Sequence, residues 1–340
     1  MTMDVRTTDS TWNGDRGGDR PLVSIIIPTY NRASLVGDAI QSALNQTYQP
    51  CEVIVVDDGS KDNTAEVVRA FGESVRYVAK PNGGVESAMN AGAQVMTGEY
   101  LCFLGDDDLL RPDVVARELA VMRSDSSTGL VYGSSEVRDM DGQLIDTIQP
   151  RFNRAPGVVS GVEELRHLGI SNYITGSATL IRREAFSAAG GFNLECHGMC
   201  EDWDLWVRIA CRWSVGYVPE VVQTVRVTPG HLLSTIKGGD KQYGLLANHQ
   251  RIVETILSDP HVASALGRDR ARIQAAFLIA SASIAYRAHS TREARKMLGE
   301  ARALYPEVFS DPELVSASTL RNRLRIPSPV VHLVWAMRGR

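Results

Sequence analysis

Three consecutive carboxylates, Asp106, Asp107 and Asp108, follow the apolar run of residues 101–104 and precede two leucines. Inside a sheet these charges would repel one another and lose their hydration, so they belong at the exit of a strand. Two readings of that exit are open. It is a solvated acidic turn before a helix start at Arg111-Pro112-Asp113, which the helix dipole would favour. Alternatively it seats a hard divalent cation, Mn2+ or Mg2+, that bridges carboxylate and phosphate oxygens. Polar residues recur at matching places along the chain: Pro28, Thr29, Tyr30 and Asn31 after residues 23–27, and Asp57 and Asp58 after 53–56. Asn82, Gly83 and Gly84 come after 75–78, and Glu201-Asp202-Trp203 opens an amphipathic stretch.

The runs at 23–27, 53–56, 75–78 and 100–104 are short and apolar, as suits strands of a parallel sheet covered on both faces. Between them, residues 33–44, 64–71 and 85–96 carry helical spacing, for instance Val36, Ala39, Ile40 and Ala43. The alternation predicts an α/β fold with a Rossmann-like, open, doubly wound, mostly parallel sheet flanked by helices. Ligands on such a sheet bind beyond the carboxyl ends of its strands, where all the polar groups above fall. Further along, the pattern predicts a helix over 114–123, a strand at 130–132, a weakly periodic excursion over 136–169 and a helix over 201–212. Strands at 215–218 and 221–227 follow, and the composition turns helical from residue 240. The expected division is a disordered leader over 1–20, the α/β domain over 21–239 and a helical C-terminal region over 240–340.

The 340 residues hold 36 Lys and Arg against 40 Asp and Glu, a net charge of −4 that argues against a nucleic-acid partner. Five cysteines, an odd number, two of them in apolar runs, suit reduced buried thiols and a cytoplasmic compartment. Cys196-His197 with Cys200 is either a short zinc cluster or packing, and the lack of a second Cys/His pair favours packing. Neither GxGxxG after the first strand nor GxxxxGK[ST] occurs, which weighs against dinucleotide and P-loop readings. The leader has no apolar core of a signal peptide, and no run reaches the roughly 18–20 residues of a membrane span. Arg321, Arg323, Arg325, Arg338 and Arg340 surround a short apolar stretch. That tail admits peripheral contact with an anionic inner membrane face, or a solvated, packed end.

In order and spacing, the blocks VSIIIPTYNR (Val23 to Arg32), VIVVDDGSKDNT, KPNGGVESAMNAG, GEYLCFLGDDDLL, GSATLIRREAF with GGF, and EDWDLWVRIA (Glu201 to Ala210) form a set. The set resembles glycosyltransferase family two, the inverting nucleotide-sugar transferases of GT-A fold, over roughly residues 22 to 235. The resemblance implies that Pro28, Thr29 and Tyr30 line the nucleotide pocket, bordered by Asn31, Asn82, Gly83 and Gly84. Asp58 would accept a hydrogen bond from the base; an imide N–H favours a UDP or dTDP sugar. Asp107 matches the metal-binding Asp, with Asp106 near ribose or metal and Asp108 structural. Asp202 matches the general base, kept ionised by its helix N-terminus. Glu201 and Trp203 fall on the acceptor side, Trp203 stacking on a sugar face, while Trp206 belongs to the core.

The chain departs from the family pattern at three places. Gly105 stands where the metal motif has its first Asp, and Met89 where many members carry Arg beside Asn90. Thr228 replaces the His of Tyr-Arg-X-His-Pro-Gly, so that His231, three residues on, is either a metal ligand or a loop residue whose place water takes. The expected activity is a metal-dependent, inverting transfer of a single sugar to a hydroxyl of a glycan, lipid-linked or small-molecule acceptor, in polysaccharide or cell-envelope biosynthesis. Ile209 at the Gln position of the QxxRW motif sets the chain apart from processive synthases. The alternatives are a nucleotide-sugar-binding protein without turnover and a sugar nucleotidyltransferase. The latter needs a Gly-rich loop with Arg and Lys that Pro28-Thr29-Tyr30-Asn31 does not supply.

Overall fold

The structure, a computed structural model, describes residues 20–150, 152–228, 239–288 and 290–314. The expected leader, His231 and the basic tail lie outside the described residues. In chain order the first elements are β1 (Val23–Thr29), α1 (Val36–Leu44), β2 (Cys51–Asp57), α2 (Thr64–Arg69), β3 (Arg76–Ala79), α3 (Val85–Val95), β4 (Tyr100–Phe103), β5 (Leu109–Leu110) and α4 (Val114–Ser124). They are followed by β6 (Thr128–Arg138), β7 (Leu144–Ile148), β8 (Gly157–Val159), α5 (Gly161–Leu168), β9 (Leu180–Arg182), α6 (Arg183–Ala189), α7 (Glu201–Ala210) and β10 (Ser214–Arg226). Four helices close the described chain: α8 (Gly239–Ser258), α9 (Pro260–Leu266), α10 (Asp269–Arg287) and α11 (Thr291–Leu304).

The sheet runs β3-β2-β1-β4-β9-β6-β10-β5, with β7 beside β6 and β8 beside β10. Strands β3, β2, β1 and β4 pair in parallel, as do β6 and β10; short β9 joins the two groups antiparallel to both. The major strands therefore share one direction and deliver their carboxyl ends to one edge. The chain reverses its order between β1 and β4, which opens a crevice there.

Alternation along each strand divides the core in two. Ile25, Ile27, Val53, Val55 and Cys102 face α1 and α4, while Ile26, Ile54, Val56, Leu101 and Phe103 face the layer of α3, α6 and α7. Both faces are covered, so these strands read as unbroken apolar runs. The second core continues through Trp206 and Ile209 of α7 into Ile252, Ile273 and Ile279 of the C-terminal helices. Ion pairs fasten those helices to α5 and the segment that follows α11: Arg166 to Asp269 at 2.9 Å and Arg272 to Asp311 at 2.6 Å. Among the described residues no helix is long and apolar enough to cross a membrane.

Two expectations need correction. The strand expected at 130–132 continues to Arg138, because Gly133, Ser134 and Ser135 pair with β10 and are buried there. The strands at 215–218 and 221–227 are one strand, β10, whose register against β6 shifts between Val218 and Val221. Pro219 lies at that shift, where a missing N–H is tolerated.

Candidate active site

The ends of β1 and β2 are tied together first. Asp58 N–H donates to Thr29 O at 2.9 Å, Asn31 N–H to Ser60 Oγ at 2.9 Å, and Lys61 N–H to Asn31 Oδ1 at 2.7 Å. Asn31 takes a left-handed φ of 54°, one of the few residue types that does so readily. The Tyr30 ring beside it is 43% exposed and open to a ligand. Asp57 accepts from Ser60 N–H at 2.8 Å and from Tyr77 OH at 2.7 Å, so it is a structural member of the edge.

Asp58, expected to read a base, is buried and faces the loop after β3. Its carboxylate accepts from Gly83 N–H at 3.0 and 3.1 Å and from Gly84 N–H at 2.8 Å, and Lys80 Nζ pairs with it. Gly84 has φ of 89°, a conformation that L side chains rarely adopt, and leads directly into α3. Asp58, Gly83 and Gly84 thus come together as one unit, with Asn82 exposed at its tip. Asn90 is absorbed elsewhere: its amide makes two hydrogen bonds to the backbone of Phe192, both at 2.9 Å.

The acidic cluster leaves β4 as expected, and its three members differ. Asp108 is buried and accepts from Ser177 Oγ at 2.9 Å and from Arg226 N–H at 3.3 Å. Burial first, then the Asp107 charge, pushes it up to about 7. Asp106 lies 3.8 Å from Arg32 Nε, and burial raises it to about 6. Asp107 Oδ2 accepts from Thr228 Oγ1 at 2.9 Å, its carbonyl accepts from Arg226 Nε, and Arg226 also reaches Asp38 at 2.7 Å. The Thr in place of the family's His therefore lies directly on Asp107. Gly105 explains the missing first carboxylate: a Cβ there would stand 3.0 Å from Asp108 Oδ2 and 3.3 Å from Ser177 Oγ.

Do these residues fit a divalent metal? Asp108 is committed to Ser177 and Arg226, which leaves Asp106 and Asp107. Among the described residues no three His, Cys, Asp or Glu side chains surround a common metal position. One or two carboxylates completed by water and substrate phosphate are a usual Mg2+ arrangement, and hard oxygen donors suit Mn2+ as well. Arg226 Nη2, buried and without a partner among the described residues, adds a donor of the kind that a phosphate oxygen takes. The donor set fits the metal only together with such a ligand. For zinc, Cys196 is buried in packing, and among the described residues no three His, Cys, Asp or Glu side chains converge around it.

Glu201 and Asp202 begin α7. The chain enters through Cys200 in a left-handed conformation, φ 61°. Asp202 Oδ1 accepts from Trp203 N–H at 2.7 Å, and Oδ2 from Asn172 Nδ2 at 3.2 Å. Burial raises both carboxyls above the ordinary range, and the Asp202 charge raises Glu201 further. The helix terminus thus does not govern Asp202 alone; desolvation outweighs it, and the hydrogen bonds to Trp203 and Asn172 pull the other way.

The segment before β9 joins the two carboxylate groups. A Cβ at Gly176 would lie 3.5 Å from Asp202, while Ser177 holds Asp108 and accepts from Gly105 N–H at 2.9 Å. Gln223 of β10 braces it, donating to Thr175 Oγ1 at 2.8 Å and Ser177 O at 3.0 Å. Trp203 corrects an expectation. It is 7% exposed, donates Nε1–H to Leu168 O at 2.7 Å and packs in the core, so it offers no face to an acceptor; Trp206 is buried as expected. Sequence reasoning gave no site role to Asn172, Ser177, Gln223 and Lys80; Lys80 and Ser177 stand inside quoted blocks and Gln223 in an expected strand, but their partners are distant in sequence.

With this geometry in hand, comparisons with known proteins give a consistent result. The model of the family "Glycosyl transferase family 2" matches residues 24–190. An uncharacterized glycosyltransferase of Rickettsia typhi is 34% identical over 229 residues, 66% of this chain and 70% of that protein. One of Rickettsia felis is 38% identical over 198 residues, 56% of this chain and 31% of that protein, so the chain spans under a third of the latter's length. The chondroitin synthase of Pasteurella multocida is 43% identical over 128 residues, 37% of this chain and 13% of the synthase. Among solved structures, S. aureus TarS 1-349 in complex with UDP-GlcNAc superposes with a TM-score of 0.57 at 15% identity, covering 85% of this chain and 91% of that one. The mannosyltransferase PcManGT of Pyrobaculum calidifontis, in complex with GDP-Man and Mn2+, gives 0.55 at 21%, covering 91% and 88%. The structural likeness establishes the GT-A fold.

Proposed function

The chain belongs to glycosyl transferase family 2, and on that premise we propose that it moves a single sugar, with inversion, from a UDP or dTDP sugar to an acceptor hydroxyl in polysaccharide or cell-envelope biosynthesis. The observation that supports this best is the segment 175–177, where Ser177 hydrogen-bonds Asp108 of the acidic cluster and a Cβ at the adjacent Gly176 would lie 3.5 Å from Asp202. In-line displacement needs a base and a leaving-group seat near one anomeric carbon, and here the two border one short stretch of backbone. The similarity to a chondroitin synthase supports the setting, and UDP-GlcNAc in TarS supports the donor class, for which GDP-Man in PcManGT supplies the competing base.

In this reading Tyr30 and the Asp58-anchored loop at Gly83 and Gly84 hold the nucleotide, with Asn31 and Asn82 at its border. Asp107 and Asp106 would hold a divalent cation, Mn2+ or Mg2+, which when bound neutralises charge on the diphosphate. Asp202 accepts the proton of the acceptor hydroxyl as that oxygen bonds to the anomeric carbon; the bond from that carbon to the diphosphate oxygen breaks, and the nucleoside diphosphate leaves with the electron pair. Asn172 orients the Asp202 carboxylate, and Glu201 beside it, its carboxyl raised by burial and by the Asp202 charge, leaves Asp202 as the group that takes the proton. Arg226 steadies the Asp107 backbone and reaches toward the phosphate side.

A thermal-shift screen of nucleotide sugars with and without Mn2+ tests the reading. UDP or dTDP sugars should raise the melting point, more so with the metal, and a product anomer opposite to the donor's should follow. Stabilisation by no nucleotide, or product of retained configuration, would refute it.

A further inference from the structure

Beside Asp202 a cavity of about 510 Å3 opens between the β7 segment, residues 170–173 and the C-terminal helices. Asn172 lines it, and the same side chain donates to Asp202 Oδ2 at 3.2 Å, so the cavity adjoins the carboxylate assigned as base. Its volume falls in the ~300–1,000 Å3 range of small-ligand sites. We propose that this cavity is the acceptor site and takes a neutral, hydroxyl-rich glycan rather than a phosphate-bearing or otherwise anionic acceptor. The proposal rests on the transferase reading above and adds the acceptor class to it.

Charge is the first argument. The described lining includes the carboxylates of Asp146 and Glu313 and no Lys or Arg. Glu313 meets His167 at 2.9 Å and shares Arg272, at 3.0 Å, with Asp311, so carboxylates outnumber the fixed cation beside the cavity and Asp146 adds one more. Among the described lining residues a phosphate or uronate would meet carboxylates and no Lys or Arg. The mixture of surfaces is the second argument. Phe152 and Ile279 offer apolar area beside the amide of Asn172, as the C–H face and hydroxyl rim of a sugar ring require.

The third argument is a buried group without a partner. His249 lines the cavity, 7% exposed, its ring held between Trp203 and Phe277 at centroid distances of 4.8 and 5.4 Å. Its Nε2 has no hydrogen-bond partner among the described residues, and burial keeps the imidazole neutral. Buried polar atoms are seldom left so. A sugar hydroxyl, donor and acceptor at once, matches a neutral imidazole in either tautomer.

The test applies the UDP-saturated protein with Mn2+ to immobilised neutral oligosaccharides and to others of the same size bearing glucuronate or phosphate. The parent should bind neutral members, and Ala280→Trp, which fills the cavity from α10, should weaken that binding tenfold or more. UDP affinity by calorimetry and the melting point report that the variant is folded. Should Ala280→Trp fail to fold, Ser171→Trp, at another lining position, should give the same loss. Capture of anionic glycans only, of none, or equally by parent and variant would overturn the proposal. A parent that binds no nucleotide but captures neutral glycans through this cavity would instead overturn the transferase reading.

Discussion

Replacing Asp58 with Asn should loosen the loop after β3 whether or not a nucleotide is present. The carboxylate, 5% exposed, takes two N–H groups from Gly83 and Gly84 at 2.8–3.1 Å and pairs with Lys80. Asparagine keeps one acceptor oxygen and turns the other into a donor that faces donors. One hydrogen bond to a charged group is worth roughly 1.5–3 kcal/mol, so a loss of about 2 kcal/mol is expected. At tenfold per ~1.4 kcal/mol, amide exchange at Gly83 and Gly84 should quicken about 30-fold. Hydrogen exchange followed by mass spectrometry on peptides covering 78–90 measures this, and calorimetry with UDP and CDP gives the companion value. Loop anchoring predicts that both nucleotides weaken together. Unchanged exchange in that peptide, with a loss confined to UDP, would refute the anchoring argument and restore direct reading of the base.

Four further outcomes follow from the same geometry. Asp107→Ala should abolish the Mn2+-dependent part of UDP binding and leave the circular dichroism spectrum unchanged; equal binding with and without Mn2+ in the parent would remove the metal from the account. Because burial raises the Asp202 carboxyl and the base must be ionised to accept a proton, kcat/KM should fall as pH drops below neutrality. A profile flat down to the ordinary aspartate range of ~4 would contradict that sign. Glu118 of α4 is fully buried with both carboxyl oxygens unpartnered among the described residues, so Glu118→Met should stabilise the fold by ~1–3 kcal/mol at pH 8. Denaturant unfolding would show the opposite shift if that carboxylate had a hidden partner. Trp203→Phe should lower stability by ~1–2 kcal/mol through the lost bond to Leu168 O, and an effect confined to acceptor KM would mean that its face is available after all.

The sheet was legible because strands covered on both faces leave unbroken apolar runs, and the crossover helices leave periodic ones. The motif residues Asp58, Asp106, Asp107 and Asp108 were legible as a set at strand ends, since charge interrupts those runs. What each one touches was not. Asp58 meets Gly83 and Gly84 only because β2 and β3 lie side by side, and Thr228 meets Asp107 across 121 positions of chain. The extension of β6 over Gly133-Ser134-Ser135 was hidden because small residues carry no strand pattern of their own until a partner strand covers them. Trp203 reads as exposed from its neighbours Glu201 and Asp202, yet a helix turns successive residues by about 100°, which takes it from the carboxylates' side into the core. The cavity at His249 is built from five separate segments and leaves no local pattern.

The central claim is that Asp202 is the base of a transferase, and its most direct test is nucleoside diphosphate release from a UDP or dTDP sugar by Asp202→Asn beside the parent. The account predicts a fall of ~10²- to 10⁴-fold in turnover, the usual worth of a positioned base, with donor affinity unchanged. Turnover near the parental rate, or a loss explained wholly by weaker donor binding, would contradict it.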